Sequence, residues 1–336
     1  MNTRPLRWGI AGTGSIATAM ATALGTIAES HDVEVVAVGS RSPESADAFA
    51  SRHDIARPHG SYDALWADPQ VDVVYIASPH SHHHHMTVAA LDAGKHVVCE
   101  KAFAINAIEA REMVAAAERN GRFLMEAMWS WFMPVWHDIR QRVAAGDIGE
   151  IVTIDANFAI DVPDPNGRHR RADLAGGALL DLGIYPLALA RFLLGEPHDV
   201  RALATLTDQG VDATLGAVLS FERAIAVLTT SLEATSDLSA TIVGTGGHIT
   251  IDAPFWFPQA YTMRRGVQRR DANPDVEPER QLIPNRGLAH EAEHATERIR
   301  AGELQSDIVT WAATIAGMEL MDRIRDQVGV VYPTER

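Results

Sequence analysis

Three short segments of this chain hold residue types that could share one chemistry. The first is Gly12-Thr13-Gly14-Ser15-Ile16-Ala17, set between a short apolar run and a helical pattern. In such a loop the first glycine permits a tight turn and the second lets backbone approach a pyrophosphate. A small residue at the sixth place, here Ala17, permits close helix–strand packing. Ser15 and Ile16 open the helix, whose free N–H groups and positive dipole suit phosphate oxygens. The second segment ends in Glu100-Lys101, after the apolar run 96–99. Ligands of open α/β sheets gather at such strand ends. The third is Gly176-Gly177-Ala178-Leu179-Leu180-Asp181-Leu182-Gly183-Ile184-Tyr185. If it is helical, Asp181 and Tyr185 stand four apart on one face.

The strand after the glycine loop selects the nucleotide. An NAD site usually places Asp or Glu at its end, on the ribose hydroxyls. This chain has Gly39-Ser40-Arg41-Ser42 there. A guanidinium can fork onto a 2′-phosphate and stack on adenine. Ser40 and Arg41 therefore predict NADP as cofactor, with NAD the alternative.

The elements that must position these groups can be read from periodicity. Apolar runs at 6–11, 33–38, 71–77, 96–99 and 123–125 alternate with helical patterns at 15–27, 45–52, 82–93 and from Asn106 onward. That alternation predicts a doubly wound parallel sheet covered on both faces, a Rossmann domain over residues 1–125. After about residue 150 the runs 151–162, 200–207, 214–221, 224–233, 239–244 and 248–252 follow one another with turn residues between them. They predict a second α/β domain, residues 126–336, built on a large, mainly antiparallel open sheet. Helical blocks at 177–194, 288–300 and 308–327 complete it, the last two free to pack back on the first domain. The polar, proline-bearing stretch 264–284 reads as a surface loop.

Composition sets outer bounds. Forty-six per cent of the 336 residues are hydrophobic and 22% are charged, which suits a globular enzyme of two domains. The formal charge of −15 gives no basic face to a nucleic-acid backbone. A single cysteine, Cys99, excludes an intrachain disulfide and disfavours a thiolate zinc site. No uncharged apolar run approaches a membrane span, and no signal-peptide core precedes the first strand. These features predict a small-molecule enzyme of the reducing cytoplasm, with neither nucleic acid nor membrane as partner. His82-His83-His84-His85 invites a metal reading, but neighbours on a helix point apart, so no metal site is expected.

Together the glycine loop, Glu100-Lys101-Ala102, the stretch Glu126-Ala127-Met128-Trp129 and Asp181 with Tyr185 four residues on resemble the Gfo/Idh/MocA family of NAD(P)-dependent oxidoreductases. The resemblance runs nearly end to end and is nearest the branch of dihydrodiol and NADP-linked sugar dehydrogenases. It implies a Rossmann domain joined to an open-sheet domain whose free face often makes a dimer, so a homodimer or homotetramer is expected. It further implies Lys101, Asp181 and Tyr185 at the catalytic centre. By the same match Ser78, Pro79, His83 and Glu100 line the cofactor with Lys101. Trp129, Phe158 and Trp256, with Asp181 and Tyr185, line the substrate. The chain departs from the family at Ala102, where proline is usual, and at Trp131, where a basic residue is usual.

The implied residues suit removal of a hydride and a proton from a carbinol. A tyrosine with a pKa of about 10 is a poor base at neutral pH, and a nearby ammonium favours its phenolate. Tyr185 is then the general acid/base, Lys101 its electrostatic partner and Asp181 the orienting group; Lys101 and Tyr185 could exchange roles. A structural alternative pairs Asp181 with an arginine such as Arg191. Two functional alternatives use the same fold: an NAD-dependent glycosidase working by transient oxidation, and a non-catalytic NAD(P)-binding sensor.

Overall fold

A computed structural model describes residues 4–266 and 278–335. The chain divides into two compact units. The first comprises Met1–Trp129 and Arg286–Met318, and the second Ser130–Asn285 and Glu319–Arg336.

In the first unit, buried runs of aliphatic residues form parallel strands, and the helices between them cover both faces. The order along the chain is β1 (Leu6–Ala11), α1 (Ser15–His31), β2 (Val33–Gly39), α2 (Pro43–His53), β3 (Arg57–His59), α3 (Tyr62–Ala67), β4 (Val73–Ile76), α4 (His83–Asp92), β5 (His96–Glu100), α5 (Ala107–Asn120) and β6 (Leu124–Ala127). The sheet order is β3-β2-β1-β4-β5-β6. The direction of winding therefore reverses between β1 and β4, where doubly wound sheets bind their ligands. Every strand pair in this sheet is parallel. Residues 80–82 form a 3-10 turn that leads into α4, so the α-helix starts at His83 rather than His82. Short β3 and α3 have too few residues to show a period and escape the sequence reading. The helix α8 (Ala289–Arg300) belongs to this unit and packs on α1, and Arg300 donates to the Asp32 carbonyl at 2.7 Å.

The second unit opens with α6 (Pro134–Ala144) and β7 (Ile151–Ala159). A π-helical turn, Leu179–Gly183, runs into α7 (Ile184–Leu194). Then follow β8 (Asp199–Leu206), β9 (Asp212–Ser220), β10 (Ile225–Ser231), β11 (Ala240–Gly244), β12 (Gly247–Ile251), β13 (Ala260–Arg265) and β14 (Glu279–Leu282). The eight strands lie in the order β14-β13-β12-β11-β7-β10-β9-β8, antiparallel except for the parallel pair β7–β10. The reading of 264–284 as loop is corrected at both ends: β13 runs to Arg265, and Glu279–Leu282 pairs with it as β14. Alternating charge in Glu279-Arg280-Gln281-Leu282 hides an edge strand, whose outward residues face water. The middle of that stretch, 267–277, lies outside the described residues.

One face of this sheet is covered by the π-turn and α7, and Ala226 and Leu228 of β10 point into it and are buried. On the other face Val218, Ile225 and Val227 are 44%, 46% and 39% exposed, with Val227 paired to Val218 across the strands. Residues Ala172–Leu194 form a helical stretch long and apolar enough to cross a bilayer, but 83% of its most apolar window is buried in this fold. It is the core helix on which the sheet closes. The last helix, α9 (Trp311–Val328), begins in the first unit and ends in the second.

Candidate functional site

The glycine loop stands at the reversal point of the parallel sheet. Gly12 adopts φ +123°, and a Cβ there would lie 2.7 Å from the Ala77 carbonyl oxygen, so only glycine fits. Its N–H donates to the Gly39 carbonyl at 2.9 Å, tying the loop to the end of β2. Nothing lies within 4 Å of a Cβ built on Gly14, which leaves that backbone open to an approaching group. Ser15 and Ile16 begin α1, whose first turn has no acidic residue, while Ala17 is fully buried against the sheet. The N-terminus of α1 thus keeps its positive potential for an anion. Across the reversal point, the Ser78 hydroxyl oxygen is buried with no hydrogen-bond partner among the described residues. An open backbone, an uncompensated helix start and an orphan hydroxyl together fit a dinucleotide pyrophosphate.

Ser40 is buried at the end of β2, and its hydroxyl accepts from Ser42 N–H at 3.4 Å. Ser42 in turn caps α2 by accepting from Ser45 N–H at 3.2 Å. Arg41 therefore projects from a braced turn. It is exposed and makes no salt bridge among the described residues. Its charge is felt by Tyr62, whose phenol is otherwise pushed up by burial.

Lys101 follows β5 and is partly exposed. Its peptide link to Ala102 is cis. Side chains from several elements brace the turn it begins. The His83 ring is fully buried, with Nδ1 2.8 Å from the Ala102 carbonyl oxygen and Nε2 2.9 Å from that of Ser78. Burial pushes this imidazole down to about 4, against the pull of the carbonyls, so the ring is neutral at physiological pH. As a neutral ring it carries one N–H and donates to one of these two carbonyls, with Ser78 on one side and Ala102 on the other. The Phe103 N–H donates to Glu126 at 3.2 Å, and Thr314 donates to the other Glu126 oxygen at 3.0 Å. Buried Glu100 accepts from the Tyr75 hydroxyl and from Lys101 N–H. Where proline would restrain residue 102, hydrogen bonds restrain its neighbours. Glu126 belongs to a motif the sequence marks, whereas Thr314 and Tyr75 are supports that no local pattern reveals.

In the second unit Asp181 and Tyr185 are both 5% exposed. Asp181 sits in the π-turn, and its carboxylate accepts from Arg168 at 3.2 Å and lies 3.0 Å from His169 Nε2. Asp181 therefore does pair with an arginine, as the structural alternative has it, and that arginine is Arg168; the Arg191 guanidinium binds Glu196 at 2.6 Å, held by the turn that ends α7. Phe158 and Trp256 stack with ring centroids 3.6 Å apart and planes 14° apart. Tyr185 stands 5.6 Å from the first ring and 5.9 Å from the second. The segment beneath Trp256 is anchored where Ser130 donates to its carbonyl at 2.8 Å and Trp136 donates to that of Phe255 at 2.9 Å. Trp131 is core, its indole donating to the Ala188 carbonyl of α7 at 3.2 Å. Trp129 lies in the 3-10 turn Trp129–Phe132, partly exposed. Within the histidine run, His84 binds Glu112 at 2.8 Å, and His82 meets His85 edge to face. No cluster able to hold a metal ion exists among the described residues.

The arrangement comprises a nucleotide cradle with a lysine at a strand end in one unit. The other unit carries a phenol and a carboxylate beside an aromatic wall. The chain is similar to known proteins over nearly its whole length. Residues 6–128 match an oxidoreductase family with an NAD-binding Rossmann fold, and residues 136–250 match a GFO/IDH/MocA C-terminal domain. The chain is 36% identical over 334 residues to trans-1,2-dihydrobenzene-1,2-diol dehydrogenase of Danio rerio, covering 97% of this chain and 98% of that one. It is 35% identical over 369 residues to D-xylose 1-dehydrogenase (NADP(+)) of Hypocrea jecorina, covering 99% and 94%. A 3-ketoreductase from Actinomadura kijaniata, solved with NADP and TDP-benzene, shares the fold at a TM-score of 0.83 and 25% identity, covering 97% and 98%.

Proposed function

The chain belongs to the Gfo/Idh/MocA oxidoreductases, and from that membership we propose that it works on a sugar, cyclic polyol or dihydrodiol with NADP as the preferred partner. It is an NAD(P)-dependent oxidoreductase of CH–OH groups. The observation that carries the substrate reading is the setting of Tyr185, a buried phenol beside stacked Phe158 and Trp256, four residues after a buried carboxylate. Aromatic faces pack against the C–H faces of ring substrates, while the phenol and carboxylate meet hydroxyls.

The dinucleotide, when bound, supplies the hydride chemistry. Gly12, Gly14, Ser15, Ile16 and Ala17 would hold its pyrophosphate. Ser40 and Arg41 would hold the 2′-phosphate, with Ser78, Pro79, Glu100 and Lys101 nearer the reacting end. Tyr185 takes the hydroxyl proton as the carbinol is oxidised and returns it in reduction. The Lys101 ammonium stabilises the phenolate that this requires. Asp181, steadied by Arg168 and His169, orients a substrate hydroxyl. Phe158, Trp256 and Trp129 exclude water from the ring substrate.

A panel of aldoses, polyols and dihydrodiols, followed by nicotinamide absorbance, tests the reading. We expect accumulation of NADPH with at least one class and weaker turnover with NAD. Glycoside cleavage without net NADPH would select the glycosidase reading. Tight NADP binding without turnover across the panel would select the sensor.

The exposed Val218, Ile225 and Val227 support self-association through the open face of the second sheet, as a homodimer or a pair of dimers. Replacing Val218 and Val227 together by aspartate should yield monomers in sedimentation velocity; an unchanged mass rejects this face. The single, buried cysteine suits a reducing cytoplasm, and a fluorescent fusion found in an oxidising compartment would reject that placement.

A further inference from the structure

We propose that Asp212 is a positioning residue, whose buried carboxyl holds the start of the helix carrying Asp181 and Tyr185 and so sets where both side chains stand. The inference rests on the reading of those two residues given above. Asp212 opens β9 and is 0% exposed. Its Oδ2 accepts the Leu179 N–H at 2.6 Å, from a residue 33 positions earlier. Leu179 is the first residue of the π-turn, two before Asp181 and six before Tyr185. The residue ahead of it, Ala178, offers no side-chain cap. The first N–H groups of a helix have no partner within it, and leaving one dry and unbonded is costly. A carboxyl from a distant strand does here what a capping residue does from within the chain.

The surroundings are shaped around that carboxyl. Gly177 adopts φ +117°, and a Cβ on it would lie 2.2 Å from the second oxygen, Oδ1. Oδ1 itself has no hydrogen-bond partner among the described residues. The preceding Gly176 is pinned where the Tyr332 hydroxyl donates to its carbonyl at 2.9 Å. Two titratable groups beyond the turn act on Asp212, Arg325 from α9 and Tyr332 from the C-terminal turn. Arg325 is already engaged by Asp322 at 2.8 Å and Glu335 at 2.8 Å. Burial raises the Asp212 carboxyl to about 7, against the pull of the Leu179 and Ala178 N–H groups and of Arg325. The group thus passes from neutral acid to charged, stronger acceptor as pH rises through neutrality.

Three variants test the proposal. Asp212→Ala removes the acceptor, Gly177→Ala displaces it, and Asp212→Asn keeps a neutral one. The first two should lower kcat by roughly 10–100-fold, the range that a misplacement of about 1 Å produces. The NADP Kd, read by fluorescence titration, should stay within about twofold, because the nucleotide cradle lies on other elements. Amide hydrogen exchange over residues 179–185 should quicken in both. Asp212→Asn should retain more than about a third of wild-type kcat at pH 6, where the native carboxyl is itself neutral, and lose more at pH 8.5. It also decides the matter if the other two fail to fold. Asp212→Asn kcat equal to wild type at both pH values overturns the proposal. So does a folded Asp212→Ala or Gly177→Ala that keeps full kcat. Tyr185→Phe runs alongside as control. If it keeps full turnover, the reading of the site fails; if it is inactive while the Asp212 series is unaffected, only the positioning role fails.

Discussion

Tyr185→Phe is expected to lower kcat by roughly 10²–10⁴-fold, the usual contribution of a positioned acid/base. NADP affinity should stay within about threefold, since the nucleotide cradle stands on separate elements. The substitution removes one oxygen and leaves the ring. The ring is what packs beside Phe158 and Trp256 at 5.6 and 5.9 Å, so the aromatic wall and the helix should survive it. A loss of turnover would then report the missing proton acceptor rather than a disturbed core. Lys101→Met should give a loss of the same order, because without the ammonium the phenolate is disfavoured at neutral pH. The double variant should be little worse than either single, as residues acting on one proton are not additive. The comparison is made by steady-state kinetics on the best substrate of the panel, with NADP binding measured separately. Turnover of Tyr185→Phe within a factor of about three of wild type would remove the assigned acid/base.

Arg41→Ala should reduce kcat/KM with NADP by roughly 10–150-fold, the equivalent of the about 1.5–3 kcal/mol carried by hydrogen bonds to a charged group. With NAD the change should be less than about threefold, because only the 2′-phosphate meets the guanidinium. Arg41 is suited to this by what it does not do. It is exposed, sits on a turn braced by Ser40 and Ser42, and has no salt-bridge partner among the described residues to give up before binding a phosphate. Added salt should raise the NADP KM of the wild type more than that of the variant, since screening weakens an exposed charge pair. The measurement is kcat/KM for both nucleotides in both proteins at two ionic strengths. Equal losses with NADP and NAD would show that Arg41 supports the fold of the turn and does not select the phosphate.

Several of these features are legible in sequence because they are local. A glycine loop between a strand and a helix needs its residues within one turn, so the spacing survives in the chain itself. Five of the six parallel strands announce themselves by apolar runs separated by helical periods; the three-residue β3 does not. The second sheet shows through alternation, as in β10, where Ala226 and Leu228 face inward while Ile225 and Val227 face out. Edge strands with mixed charge, such as Glu279–Leu282, do not show, because neither face is consistently apolar.

What the sequence alone determined is the pair of folds, the nucleotide loop and the residue types able to move a proton at a carbinol. What only the tertiary structure decided is who holds whom. Asp181 is met by Arg168 and His169 from a preceding loop, and Arg191 on its own helix binds Glu196. Phe158 and Trp256 become one stacked wall, His83 is buried between the carbonyls of two loops, and Asp212 closes the start of a helix it does not belong to. Each of these pairings joins residues brought together by sheet register or by the fold of a loop. A contact of that kind leaves no period and no spacing in the chain, because its geometry exists only once the intervening strands have paired.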